Sequence, residues 1–221
     1  NIDTATELAH VSIAENGLVK ASLKNDAQKD HAGFLQPAIQ HLSKLTGVAL
    51  SHLDAIAVTG GPGSYTGLRV GLASAKGLCF ALNKPLIMLN TLEVLTTSAL
   101  LQYPPTDQKL LYCPMIDARR MEVFTAIYDI DLKPILTARP MVLDEHSFAE
   151  YLNKFDLRFF GSGATKWMEI YSNSNAYLTN VIIMPESLSG LSASSFADKD
   201  FADLAYSEPF YLKDFQTVTK R

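Results

Sequence analysis

The chain has 221 residues and a formal charge of −4, from 19 Lys and Arg against 23 Asp and Glu, with hydrophobic residues at 48% and charged residues at 19%. A chain this long buries roughly 70% of its unfolded surface, which suits one large domain or two small ones, and its composition excludes disorder. Apart from the terminal Lys220-Arg221 it carries no long basic run, which argues against unaided nucleic-acid binding, and no uncharged apolar stretch reaches the length of a membrane span.

In chain order, Asn1 to Thr6 reads as the end of a strand and a polar turn, Leu8 to Ala14 as a returning strand, and Glu15-Asn16-Gly17-Leu18 as a hairpin turn into a third strand through Val19, Ala21 and Leu23. A chain that opens in a strand, without methionine, is expected to lack a few leading residues. From Phe34 the apolar positions Phe34, Leu35, Ala38, Ile39, Leu42 and Leu45 keep helical spacing up to Gly47, which places Pro37 in the first turn or so. Ser51 to Asp54 reads as a capping turn before the buried strand Ala55 to Thr59.

The most informative segment follows: Gly61-Pro62-Gly63-Ser64-Tyr65-Thr66-Gly67-Leu68-Arg69-Val70-Gly71-Leu72-Ala73-Ser74-Ala75-Lys76-Gly77, a glycine-rich turn that runs into a helix of small residues. Strand, glycine loop and helix together suggest anion binding at a helix N-terminus. The spacing matches neither a Walker loop nor a dinucleotide fingerprint, because no Gly-Lys pair follows and Thr66 stands where the latter needs glycine. On a wheel of about 100° per residue, Arg69, Lys76 and Phe80 fall together and small or apolar residues cover an arc of roughly 260°. One apolar stripe would seat such a helix on its own sheet. The excess fits either a second helix packed outside, with Gly67, Gly71 and Ser74 admitting its backbone, or a helix sandwiched within one domain, and geometry alone leaves both open.

A strand at Pro85 to Leu89 and a helix over 91–101 come next, and Tyr103-Pro104-Pro105-Thr106-Asp107 is the clearest break. The expected subdomains are therefore 1–103 and 108–221, the terminal segment being free to return to the first. The second half repeats the scheme. Strands over Leu110 to Ile116 and Val123 to Tyr128 flank the turn Asp117 to Arg120, then helices over 145–154, 163–171 and 192–205 alternate with strands at Leu157 to Phe160 and Val181 to Met184. The pattern is a duplicated α/β fold without a residue-level repeat. Cys79 and Cys113 form no CxxC pair and read as buried thiols of a reducing compartment.

Gly61 to Gly77, with the opening Ile2-Asp3-Thr4-Ala5-Thr6, resembles the TsaB (YeaZ) family. Asp117 to Val123, Gly161-Ser162-Gly163-Ala164 and Glu208-Pro209-Phe210-Tyr211-Leu212 resemble motifs of the same family in the same order, so the likeness covers nearly the whole chain. It implies an actin-like (ASKHA, ribonuclease H-like) fold of two tandem α/β subdomains. It also implies a cytoplasmic, non-catalytic subunit of tRNA threonylcarbamoyladenosine modification that pairs with TsaD, joins TsaE in a ternary complex, dimerises when alone and meets tRNA only through the complex.

TsaD carries Asn-His-x-Glu-x-His where this chain has Asn90-Thr91-Leu92-Glu93-Val94-Leu95, so Thr91 and Leu95 stand at the places of its metal-binding histidines. Neither side chain can replace imidazole. No catalytic residue, metal or cofactor is therefore expected. The five histidines, His10, His31, His41, His52 and His146, show no zinc-peptidase spacing, and Ser64 lacks the Gly-x-Ser-x-Gly elbow, which speaks against a glycoprotease.

The expected partner interface comprises Phe34, Leu35, Ala38, Leu42, Gly67, Val70, Gly71, Ser74, Ala75 and Leu78. A vestigial nucleotide cleft is expected from Asp3, Thr4, Thr6, Asp117, Arg119, Gly161 and Gly163. The competing reading of that cleft is a small-molecule kinase or ATPase of the actin-like class with Asp3 or Asp117 as base.

Overall fold

The structure is a computed structural model that describes residues 1–25, 30–105, 109–171 and 174–210. Residues 106 and 107 of the expected break, and Tyr211 and Leu212 of the last motif, lie outside the described residues.

The first half opens with strands β1 (Ile2–Asp3), β2 (His10–Glu15) and β3 (Leu18–Lys24), an antiparallel meander whose β2–β3 turn places Asn16 and Gly17 at φ 52° and 78°. Helix α1 (His31–Thr46) follows, then β4 (Ile56–Gly61), helix α2 (Tyr65–Leu82), β5 (Leu86–Asn90) and helix α3 (Thr91–Gln102). Strand β4 is buried at every residue and lies parallel to β1 and β5, which explains its continuous apolar pattern.

Asp30 starts α1 by accepting from the Gly33 N–H, and left-handed Gly47 ends it. The helix thus begins three residues before Phe34, and Pro37 falls in its second turn rather than its first.

The second half contains β6 (Leu110–Asp117), β7 (Glu122–Tyr128), β8 (Pro134–Val142), helix α4 (Ala149–Leu152), β9 (Asp156–Phe160), helix α5 (Ala164–Met168), β10 (Ala176–Leu178) and helix α6 (Pro185–Ala197). The first sheet runs β3-β2-β1-β4-β5 and the second β8-β7-β6-β9-β10. Each is an antiparallel three-strand meander with two parallel strands beside its first member, so the duplication expected from the pattern is a duplication of topology.

Two further expectations fail here, and the helices expected over 145–154 and 163–171 shorten to α4 and α5. The apolar run Val181 to Met184 is no strand, because its backbone pairs with side chains of α3 instead of a neighbouring strand. Ile182 N–H donates to Gln102 Oε1 at 3.3 Å, Gln102 Nε2 donates to the Ile182 carbonyl at 2.7 Å, and Met184 N–H donates to Ser98 Oγ at 3.0 Å. The last helix lies at Pro185–Ala197 rather than 192–205. Pro185 sits in its first turn, where a missing N–H costs nothing, and Ser187 and Ser189 are buried, Ser187 sharing a 2.7 Å hydrogen bond with Ser98. Helix α6 packs on α3 and back onto β2, β3 and β5.

Three apolar clusters fill the molecule. One lies between α1, α2 and the first sheet, with Leu35, Leu42, Leu72 and Ala75. One joins both sheets through α3 and α6, with Leu92, Leu95, Tyr112 and Phe160. The third is aromatic and belongs to the second half, where Trp167 stacks on Tyr171 at 4.5 Å and meets Phe148 edge-on at 5.2 Å.

Candidate partner-binding face and nucleotide cleft

Helix α2 begins beside the turn after β1, and small residues set the distance there. Ser64 caps the helix by accepting from the Gly67 N–H at 3.2 Å, and its own N–H donates to the Ala5 carbonyl at 2.7 Å. A Cβ on Gly67 would overlap the Thr4 carbonyl oxygen, and one on Gly71 would overlap Thr4 Oγ1. Thr4 Oγ1 donates to the Gly67 carbonyl at 2.7 Å in return. The close approach that Gly67 and Gly71 permit is therefore made by the chain's own first turn.

This corrects the sequence reading of the face. Leu35, Ala38 and Leu42 of α1, with Gly67, Gly71 and Ala75 of α2, are all buried against the chain's own structure. Phe34, Val70, Ser74 and Leu78 are half-buried at the outer side. Gln36, Ala73 and Gly77, which the sequence reading passed over, complete that side: with Ser74 and Leu78 they line a shallow groove of about 380 Å³ between α1 and α2. Phe80 is 83% exposed beyond it. Their common signal was exposure on the wheel, which a count of small residues alone does not resolve. Arg69 is drawn over the Tyr65 ring at 3.8 Å, a cation–π contact. Lys76 donates to the carbonyls of Ala205 and Ser207, each at 3.1 Å.

The cleft residues fall into two groups. Asp3 and Thr4 have no exposed surface. Burial pushes the Asp3 carboxyl above its ordinary range, opposed by the Ala5 N–H at 3.0 Å and the Thr59 hydroxyl at 2.7 Å, which both donate to Oδ1. Burial likewise lowers the pKa of His10, the cross-strand neighbour of Asp3. Thr6 donates to the Leu8 carbonyl at 3.3 Å, and its own carbonyl faces His31 Nε2 at 3.0 Å.

Asp117, Arg119, Gly161 and Gly163 belong to the second half. Partial burial would raise the Asp117 pKa, but the Lys166 ammonium and the Arg119 N–H outweigh it and hold the carboxylate below its usual range. Arg119 has φ 71° at the turn. Ser162 Oγ accepts from the Asp117 N–H at 3.1 Å, and Gly163 N–H donates to the Met115 carbonyl at 3.1 Å. Gly161, at φ 93°, leaves no room for a Cβ beside that same carbonyl. An open cleft of about 540 Å³ adjoins, lined by Gly161, Ser162, Thr165, Leu178, Thr179, Asn180 and Val181.

The segment aligned with the histidine motif is packed, not open. Asn90 caps α3 by accepting from the Leu92 N–H at 2.9 Å, while Thr91 is fully buried and Leu95 is 4% exposed. A hydroxyl and an isobutyl group in the core offer no donor set for a transition metal. Among the described residues, no three His, Cys, Asp or Glu cluster as metal ligands. Burial pushes the Cys79 and Cys113 thiols up to about 11 and about 12, so both are inert. No helix of the described residues is long and apolar enough to cross a membrane.

Two sheets of identical 3-2-1-4-5 order, with helices over them and a cleft at the second glycine loop, define an actin-like α/β protein. Comparison with known proteins narrows the class. The family described as TsaD, tRNA N6-adenosine threonylcarbamoyltransferase, matches residues 22–220, and the chain belongs to it. Within that family it groups with TsaB, also called YeaZ. The tRNA threonylcarbamoyladenosine biosynthesis protein TsaB of Escherichia coli is 28% identical over 220 residues, 96% of this chain and 93% of that protein. YeaZ from Pseudomonas aeruginosa superposes with a TM-score of 0.78 at 27% identity, over 96% of this chain and 97% of that one. The tRNA N6-adenosine threonylcarbamoyltransferase of Symbiobacterium thermophilum is 40% identical over 85 residues, 38% of this chain and 25% of the enzyme.

Proposed function

We propose that the chain is the non-catalytic subunit of tRNA threonylcarbamoyladenosine biosynthesis, and that it docks a threonylcarbamoyltransferase on the outer side of α1 and α2. The observation that carries this reading is the contrast between two surfaces of related origin. The segment that stands at the place of the transferase histidine motif is closed core here, with Thr91 and Leu95 buried. The outer arc of α2 meanwhile presents Ala73, Ser74, Gly77 and Phe80 to solvent with little charge. A relative of this chain would offer a similar helix pair, so the two faces can meet as a pseudo-twofold four-helix contact. Without that partner a second copy takes its place.

In this reading the chain works in the cytoplasm, the complex includes TsaE, and tRNA is reached through the transferase. Its units in this reading are 1–103 and 108–221, with α6 and the segment after it returning to the first. The kinase or ATPase reading has less support. Asp3 is sealed beneath Ala5 and Thr59, and Asp117 is tied to Lys166, so neither carboxylate stands ready as a base.

The test is a titration of the purified transferase with this chain. Wild type should bind with micromolar or tighter affinity and restore modification of tRNA. Ala73→Arg, which places a cation in the groove without touching the core, should weaken binding at least about 100-fold, roughly 2.7 kcal/mol. Wild-type binding by Ala73→Arg, or transfer activity in the isolated chain, would overturn the proposal.

A further inference from the structure

The segment after α6 does not simply trail off. Ala202 N–H donates to the Leu86 carbonyl at 2.8 Å, which pairs the segment with β5, and Ala202 and Leu204 pack against the first core. Phe210 N–H then donates to the Gly60 carbonyl at 2.6 Å, so the described part of the segment reaches the end of β4, just before the glycine loop. Between these anchors lies a turn held from both sides. The Asp203 carboxylate accepts from the N–H groups of Ala205 and Tyr206 at 2.8 and 2.9 Å, and Lys76 of α2 donates to the carbonyls of Ala205 and Ser207. At its tip Tyr206 is 85% exposed.

We infer that this turn is part of the docking surface, with Lys76 as the residue that positions Tyr206 against the transferase. The inference rests on the docking reading above. On the wheel Phe80 lies about 40° from Lys76, and Ala73, Gly77, Ser74 and Leu78 continue the arc to about 200°, where α1 takes over. Tyr206, Phe80 and the groove therefore form one surface.

Area supports the same conclusion. Helices of 16 and 18 residues offer a footprint of about 24–27 Å by 20 Å, on the order of 500 Å², whereas a standard interface takes about 800 Å² per partner. Phe80 and Tyr206, exposed at the rim of that footprint, would add apolar area to the contact. A tyrosine held in place before binding loses little entropy on docking, which suits an anchor.

The experiment titrates the transferase with Phe80→Ala, Tyr206→Ala, Lys76→Met and the Lys76→Met/Tyr206→Ala double variant, alongside Ala73→Arg. Phe80 and Tyr206 are exposed enough that truncation leaves the fold intact. Each single variant of the trio should weaken binding about tenfold or more, and the double variant should lose no more than Tyr206→Ala alone, because Lys76 acts through that side chain. Additive losses would overturn the positioning role. If Ala73→Arg abolishes the complex while Phe80→Ala, Tyr206→Ala and Lys76→Met bind as wild type, the turn lies outside the interface and the inference falls with docking intact. If Ala73→Arg also binds as wild type, both fall.

Discussion

Corresponding corners of the two halves have the same strands and opposite fates. In the first half the turn after β1 is shut: Asp3 and Thr4 have no exposed surface, and Gly67 and Gly71 press α2 against Thr4. In the second half the turn after β6 stays open, with Asp117 exposed and paired to Lys166 beside a cleft of about 540 Å³. One topology thus serves two ends. Where glycines face inward they spend the corner's space on seating a helix, and the outer side of that helix becomes the available surface. In the second half Gly161 and Gly163 are packed as closely, against the Met115 carbonyl and Val123, and the corner nonetheless keeps a cleft beside it.

The second half should owe its stability to its aromatic core rather than to that open corner. Trp167→Ala removes a fully buried ring stacked among Phe148, Phe159 and Tyr171, and should cost about 3–5 kcal/mol. The measurement is the urea midpoint at unchanged slope. A loss under about 1 kcal/mol would break the contrast.

The shut corner is sharpened by two glycines of one helix. Gly67→Ala must drive a methyl into a backbone carbonyl and should destabilise by about 2–3 kcal/mol, whereas Gly77, whose Cβ would meet nothing within 4 Å, should tolerate alanine with a gain of about 0.5–1 kcal/mol. Thermal unfolding of both variants checks this. Similar shifts in the same direction would mean that the corner is not tight.

The smallest expected effect concerns Glu93 of α3. Burial raises its pKa above the ordinary 4.5, so the folded state holds the proton more tightly than the unfolded one, and stability falls as pH rises from 4.5 through the folded pKa. Glu93→Gln should therefore stabilise the protein at pH 7, by under about 1 kcal/mol given its partial exposure, and the advantage should vanish below pH 4.5. Unfolding curves at pH 4 and pH 7 give the comparison. An equal gain at both values would rule out titration as the cause.

Much of the fold was legible because local signals agreed with it. Asn16-Gly17 marks the hairpin, Gly47 the end of α1, and the apolar run before Gly61 the buried central strand. What escaped was decided by tertiary partners. Val181 to Met184 looks like a strand, but Gln102 and Ser98 supply its hydrogen bonds from a helix. Edge strands β8 and β10 carry Pro134, Pro140 and exposed Tyr177 instead of an alternating pattern, so nothing periodic announces them. At the site, composition revealed a helix of small residues but not which side faces out. Only the position of Thr4, more than sixty residues earlier, turns Gly67 and Gly71 inward and leaves Ala73 and Gly77 for a partner. Lys76, which the wheel only groups with Arg69 and Phe80, holds a turn from the far end of the described chain.

The most direct test of the account is the mass, by light scattering during gel filtration, of an equimolar mixture of this chain and a threonylcarbamoyltransferase. The account predicts one peak at a mass that requires both chains, resolved into separate components when Ala73→Arg replaces wild type. Two independent peaks with the wild-type chain, or an unchanged joint peak with the variant, would contradict it.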